Sequence, residues 1–227
     1  MELETLRKLF DLIEIDFVFD IGANIGQYYK RLRQDVGYEG LIVSFEPMPE
    51  LVESINNLKA TDPLLIVEQV AITDFAGAAK FFKMKNSQFS SLKTPNHTKT
   101  NLFRDLNIIR EEIEVPCSTL TEKYHYYKQK FGFKNPFLKM DTQGNDVTVI
   151  RGGLPIIQEF CAFQSELNVL PIYDSSVDFR EALYFYENIG FSISSLFLSN
   201  RGHFPALVDI DVVMINNNIM KKVMQDG

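Results

Sequence analysis

Asp20-Ile21-Gly22-Ala23-Asn24-Ile25-Gly26-Gln27 follows the apolar run Phe17-Val18-Phe19, which reads as a buried strand ending at Gly22. A helix is expected from about Ile25 to Asp35, closed by Gly37. The stretch is therefore a strand-to-helix turn, and its glycines let the backbone bend sharply and come close to a ligand. The first turn of the following helix offers N–H groups suited to a carboxylate or phosphate. A dinucleotide loop would carry glycines at 22, 24 and 27, but 24 is asparagine and 27 is glutamine. An acid two residues before the first glycine, with another glycine four residues after it, is instead the spacing of a methyltransferase cofactor loop, and Asp20, Gly22 and Gly26 supply it. Asp20 would repel a pyrophosphate and is expected to face the amino-acid part of S-adenosylmethionine.

The next strand, Leu41 to Phe45, ends in Glu46-Pro47, and Pro49 opens a helix as a first-turn proline should. A carboxylate at that strand end is acceptor-only and can take both hydroxyls of a ribose. Together with Asp20 it favours adenosylmethionine over NAD. Further along, strands are expected over Leu64 to Ile72, Ala78 to Met84, Ile113 to Cys117, Phe137 to Met140 and Ala162 to Leu167. Helices are expected over Glu2 to Ile13, after Cys117 through Gln129, between the last two of those strands, and over Phe179 to Asn188. Phe191 to Leu198 and Asp209 to Ile215 read as a terminal antiparallel hairpin. This alternation predicts an α/β, Rossmann-like doubly wound fold with a mostly parallel seven-stranded sheet ending in that hairpin. One domain is expected over residues 1–227, with a lid or insertion at about 85–112.

Composition narrows the function classes. No apolar run is long enough to span a bilayer, and the acidic start Met1-Glu2-Leu3-Glu4 is unlike a signal peptide, so a cytoplasmic protein is expected. The net charge of −7 argues against general nucleic-acid binding, which needs a basic surface. Cys117 and Cys161 stand far apart in strand-like stretches and read as buried free thiols.

Four segments in order, FDIGANIGQ at 19–27, SFEPMP at 44–49, VAITDFAG at 70–77 and LKMDTQGND at 138–146, resemble the FkbM family of methyltransferases. The resemblance implies O-methylation of hydroxyls on sugars, glycans or polyketide-type metabolites, with S-adenosylmethionine as methyl donor. It implies that Asp20, Gly22, Ala23, Asn24, Gly26 and Gln27 surround the methionine part, Glu46 and Pro47 the ribose, and Ala71 with Ile72 the adenine. The fourth segment departs from the family's Asp-x-Glu-Gly-x-Glu: Gln143 and Asp146 replace the two glutamates. The Leu-Asp pair common after the mid-chain strand is Leu120-Thr121 here.

Methyl transfer from a sulfonium needs an in-line nucleophile, and a sugar hydroxyl is helped by a base within hydrogen-bond reach. Asp141, ending a core strand on the same rim as Asp20 and Glu46, is the first candidate, with a helix N-cap as its plainer role. Glu166, near the end of the next strand, is the second; the two carboxylates together could hold Mg²⁺ against a substrate oxygen, with no further ligand identifiable. His97 and His203 lie in polar loops that could close over the site, while His125 reads as structural. Between Phe75 and Arg104 there is no acid, while Lys80, Lys83, Lys85, Lys93, Lys99 and Arg104 are all present, so a basic lid for an anionic or polyhydroxyl acceptor is expected, or else an ordinary solvated hairpin. The expected partner is a small-molecule or glycan acceptor, with neither nucleic acid nor membrane; Tyr124, Tyr126 and Tyr127 fit either a dimer face or the core, which leaves the oligomeric state open. Competing readings are a non-catalytic cofactor-binding module of the same fold, an N-methyltransferase and an NAD-dependent oxidoreductase.

Overall fold

A computed structural model of the chain describes residues 2–98, 101, 103–198 and 205–226. Its strands are β1 (Phe17–Ile21), β2 (Leu41–Phe45), β3 (Leu65–Glu68), β4 (Ala71–Thr73), β5 (Gly77–Met84), β6 (Ile109–Thr119), β7 (Pro136–Met140), β8 (Ala162–Asn168), β9 (Phe191–Leu198) and β10 (Asp209–Asn216). The helices are α1 (Glu2–Leu12), α2 (Gln27–Arg31), α3 (Pro49–Lys59), α4 (Leu120–Phe131), α5 (Asp146–Gly152), α6 (Phe179–Asn188) and α7 (Asn217–Asp226).

β1 is buried along its whole length, and the two-residue period of a strand divides it between two cores. Phe17, Phe19 and Ile21 pack with Tyr124, Tyr127 and Phe160 on one face of the sheet. Val18 packs with Leu6, Phe10, Tyr28 and Phe137 on the other. Strands covered on both faces are apolar throughout, so Asp20 in β1 and Lys139 in β7 stand out as polar side chains that the fold must accommodate.

The main sheet has seven strands in the order β3-β2-β1-β7-β8-β10-β9. Pairing is parallel from β3 across to β8, and β10 runs antiparallel to both β8 and β9. The fold is thus the doubly wound α/β class with a terminal antiparallel hairpin. Strand order reverses between β1 and β7, which opens a crevice at their carboxyl ends, where ligands of such sheets bind.

A second sheet, β4-β6-β5, stands apart from the first. The expected single strand from Leu64 to Ile72 is two strands, because the chain turns at Gln69 and Val70 and Ala71–Thr73 then pairs in parallel with Cys117–Thr119. An apolar run carries no mark of which sheet it joins. β6 also extends well before Ile113, through Arg110, Glu111 and Glu112, whose charges are exposed on a sheet edge rather than alternating with apolar residues. The irregular segment is therefore shorter than expected, residues 109–112 belonging to β6, and it contains a 3-10 turn at Ser87–Phe89.

Local signals end the helices where they should. Thr119 and Glu122 form a reciprocal cap at the start of α4. The helix after the cofactor loop begins at Gln27, two residues later than expected, and passes into a π turn, Leu32–Val36, closed by Gly37. α7 begins within a run of three asparagines, Asn216, Asn217 and Asn218, whose composition suggests a turn; its Ile219, Met220 and Val223 pack on the α1 side of the sheet. Tyr124 and Tyr127 are buried in the core, while Tyr126 is exposed. Cys117 and Cys161 are buried free thiols. Among the described residues no helix is long and apolar enough to cross a membrane.

Candidate functional site

The crevice is a cavity of about 700 Å³. Its first end lies over β1 and β2. Gly22 and Ala23 both donate their N–H groups to Phe45 O, at 3.0 and 3.1 Å, which ties the turn to the end of β2. Gly22 has φ +78°, and a β-carbon there would sit 2.0 Å from Asp141 O. Only glycine satisfies both conditions. Gly26, at φ +79°, packs the turn on α3: its β-carbon would meet Leu58 Cδ1 at 2.8 Å.

Glu46 is 4% exposed and lines this end. Asn24 N donates to its Oε2 at 2.8 Å and Met48 N to its Oε1 at 3.0 Å. Each oxygen keeps a second acceptor site. Burial raises the carboxyl to about 7, against the opposing pull of the two N–H donors. Ala23, Asn24, Gln27 and Pro47 complete the polar rim, and Phe45, Val70, Ala71 and Ile72 form an apolar wall beside them. The N–H groups expected to hold a carboxylate are engaged within the loop: Ile25 N donates to the side chains of Asn24 and Gln27, and Gly26 N to Ala23 O.

Asp20 corrects the expectation placed on it. It is fully buried and does not line the cavity. Register sets Ser44, Asp20, Lys139 and Gln164 side by side across β2, β1, β7 and β8, a polar row of which Lys139 and Gln164 line the cavity and Ser44 and Asp20 do not. Ser44 Oγ donates to Asp20 Oδ2 at 3.1 Å, and Lys139 Nζ lies 3.7 Å from Asp20 Oδ1. Asp20 is thus joined to the cavity through Lys139, which does line it, over the ring of Tyr28. Burial pulls the Lys139 ammonium down, but Asp141 and Asp20 outweigh it and hold it above its ordinary value. Lys139 is a site residue that the sequence reading missed; its signal was a lysine inside an otherwise apolar strand, Pro136–Met140.

The second end lies over β7, β8 and β10. Asp141 is partly exposed, with Oδ2 3.4 Å from Lys139 Nζ. It is not a helix cap, because α5 begins only at Asp146 and Asp141 accepts from the side chain of Gln143, at 2.7 Å. Asp146 is the residue that braces the loop: it accepts from Thr142 N and Thr142 Oγ1 on one oxygen, and from Ser165 Oγ and Glu166 N on the other. Glu166 faces the same space, and its carboxyl is pushed well above the usual range by burial and by Asp141, Asp209, Asp211 and Asp146. Asp209 and Asp211 line this end with it, and Phe89, Leu92, Phe103 and Ile172 supply apolar surface. Glu2, at the start of α1, closes one side and accepts from Gln164 Nε2 at 3.1 Å.

The donor set does not fit a divalent ion between Asp141 and Glu166. Gln143 Nε2 lies 2.7 Å from one carboxylate and 3.1 Å from the other, so amide hydrogens face both. Among the described residues no group of three or more histidine, cysteine or acidic side chains has the arrangement of a metal site.

A family model described as the methyltransferase FkbM domain matches residues 20–193. The chain belongs to the FkbM methyltransferase family. Among solved structures, the fibrillarin pre-rRNA processing protein of Methanococcus jannaschii is 11% identical with a TM-score of 0.51, over 91% of this chain and 68% of that one. Fibrillarin of Aeropyrum pernix with natively bound S-adenosyl-L-methionine is 9% identical with a TM-score of 0.48, over 88% and 66%. The magnesium protoporphyrin IX methyltransferase of Synechocystis PCC 6803 with bound SAM is 6% identical with a TM-score of 0.46, over 94% and 78%. At these identities the likeness is one of fold. Comparison with curated proteins gives no match.

Within the FkbM domain the segment from Ser87 to Leu92 lines the cavity. Ser87 Oγ accepts from Asn24 Nδ2 at 3.4 Å, Ser91 Oγ donates to Gln143 O at 2.9 Å, and Tyr173 OH donates to Phe89 O at 3.0 Å. His97 does not line the cavity: the pairing of Pro95 with Tyr173, and of Asn96 N with Ile172 O, carries the chain past the site before residue 97. His125 is exposed on α4. His203 and Lys99 lie outside the described residues. Two of the basic residues have acidic partners: Lys80 pairs with Glu112 in the second sheet, and Lys83 with Glu111 there and with Glu50 on α3. Lys93 Nζ donates to Ser175 O at 2.7 Å. Thr121, in place of the family's aspartate, donates to Gly152 O at 2.7 Å and joins α4 to α5.

Proposed function

We propose that this protein transfers the methyl group of S-adenosylmethionine to a hydroxyl of a neutral, polyhydroxylated acceptor such as a sugar, a glycan or a similarly hydroxylated metabolite. The observation that carries the reading is a cavity with two chemically distinct ends, one carrying a single buried carboxylate beside an apolar wall, the other carrying several carboxylates beside aromatic rings.

The cofactor fits the first end. Glu46 has one free acceptor site on each oxygen for the ribose hydroxyls, and Phe45, Val70, Ala71 and Ile72 offer the apolar surface an adenine needs. When bound, S-adenosylmethionine supplies an electrophilic methyl group on a sulfonium. At the second end Asp141 is placed to accept the proton of an acceptor hydroxyl, with the Lys139 ammonium 3.4 Å away. Glu166, Asp209 and Asp211 accept hydrogen bonds from further hydroxyls, while Phe89 and Phe103, 5.1 Å apart, offer faces for the apolar side of a sugar ring. The same acids would also suit an amine, so N-methylation is the second reading.

Calorimetric titration with S-adenosylhomocysteine, with NAD as control, tests the cofactor. Binding of NAD alone would overturn the reading in favour of an oxidoreductase, and binding of neither would point to a non-catalytic module. A panel of methyl glycosides and their amino-sugar counterparts, read as conversion of adenosylmethionine to adenosylhomocysteine, then tests the acceptor. Products methylated on nitrogen would replace the hydroxyl reading with the amine one.

A further inference from the structure

Gln143 sits in the loop between β7 and α5 with φ +55°, a left-handed conformation that side-chain-bearing residues rarely adopt, and Gly144 follows at φ +87°. Two successive left-handed residues fold the loop back on itself. All the polar atoms of the Gln143 side chain are then engaged. Nε2 donates to Asp141 Oδ1 at 2.7 Å and to Glu166 Oε2 at 3.1 Å. Oε1 accepts from Tyr173 OH at 2.7 Å, and the backbone carbonyl accepts from Ser91 Oγ. The two carboxyl oxygens, Asp141 Oδ1 and Glu166 Oε2, set which end of the amide faces them, since they need its N–H hydrogens.

We propose that Gln143 is a positioning residue of the acceptor end: one amide group spans Asp141 and Glu166 and holds this carboxylate pair in register for an acceptor hydroxyl. The proposal rests on the reading of Asp141 as proton acceptor. Two carboxylates sharing a site repel each other, and an amide that gives one hydrogen to each relieves that repulsion without adding charge. A glutamate at this position, the residue of the resembling family pattern, would instead bring a third acceptor to a place already facing acids. Among the described residues, charged groups that act on the pair include Lys139 on β7, Asp20 on β1, Asp146 on α5, and Asp209 and Asp211 on β10. Lys139 alone among these is a cation, and it stands beside Asp141.

The test uses the full chain with ¹³C-carboxyl-labelled aspartate and glutamate, following the Asp141 and Glu166 resonances through a pH titration. D141N and E166Q assign them. Q143E exchanges the donor for an acceptor, and Q143G removes the amide while leaving a residue that adopts a left-handed φ freely, so the loop folds. Both midpoints are expected to rise in Q143G, and to rise further, by about one pH unit or more, in Q143E. S-adenosylhomocysteine affinity is expected to stay within about threefold of the original in both variants, because the cofactor end is untouched. Midpoints that do not move in either variant overturn the proposal, since a merely structural glutamine would leave them in place. Failure of the original protein to bind S-adenosylhomocysteine would sink the cofactor reading alone, as the titration is read without ligand and still decides the role of Gln143.

Discussion

At the β1–β2 end of the cavity Gly22, Ala23 and Asn24 give their backbone N–H groups to Phe45 and Glu46, whereas at the β7–β8 end Asp141, Gln143 and Glu166 are tied by side chains. The first arrangement depends on φ angles and on a missing β-carbon, so it admits few residue types and repeats as a motif. The second depends on which side chains happen to face one another. It can change one residue at a time while the sheet beneath stays the same. A cofactor common to many reactions suits the first kind of site, and an acceptor that varies suits the second.

Separating binding from rate sharpens this contrast most. D141N is expected to slow methyl transfer to an acceptor found in the glycoside panel by roughly 10²–10⁴-fold, with S-adenosylhomocysteine affinity within about threefold by calorimetry. A fully active D141N would remove the proton-acceptor role. G22A tests the other end, where binding and stability should move together. The added carbon meets Asp141 O and the left-handed φ is strained, so a loss of roughly 3 kcal/mol in thermal or urea unfolding is expected, with affinity at least about a hundredfold weaker. An unaffected G22A would break the claim that this end is fixed by backbone geometry.

Glu46 links the two kinds of construction, a side chain held by backbone donors. E46A is expected to weaken S-adenosylhomocysteine by about ten- to a hundredfold, the worth of hydrogen bonds to a charged group. With its carboxyl raised from 4.5 to about 7, Glu46 is protonated below that value in the free protein and must ionise to accept two ribose hydroxyls. Affinity should therefore rise with pH, by up to about tenfold per unit, and level off above about 7. The same shift makes the free protein's stability from this group fully present below pH 4.5 and lost as pH rises through about 7. E46Q should flatten both slopes, and slopes that persist in E46Q belong to other groups. The smallest effect belongs to the second sheet. Lys80 and Glu112 form an exposed pair, so K80A should change unfolding by less than about 0.5 kcal/mol and leave affinity alone.

The legible part of the protein follows the same division. β2 and α6 run over the residues that their apolar runs and terminating glycines mark, Leu41–Phe45 and Phe179–Asn188. Gly22 and Glu46 could be found because their positions on a turn and a strand end are local facts. Lys139 shows locally only as a lysine in an otherwise apolar strand, and nothing local gives its partner. Its neighbour Asp20 is 119 residues away along the chain and meets it only through the pairing of β1 with β7. His97 was drawn in by its chemistry, and the lysines by their clustering. The structure carries His97 past the cavity and gives Lys80 and Lys83 partners on other elements, none of them within the run itself.

Local sequence by itself determined the class of fold and the cofactor turn, because strand period, helix caps and left-handed glycines act over a few residues. Tertiary structure alone decided that Lys139 lines the cavity and Asp20 does not, that Ala71–Thr73 leaves the main sheet, and that Gln143 joins Asp141 to Glu166. Ala71–Thr73 is placed by its pairing with Cys117–Thr119, and the other two share one physical reason. Register between distant strands sets which buried polar groups meet, and in a low-dielectric interior each such group must find a partner wherever the fold brings one.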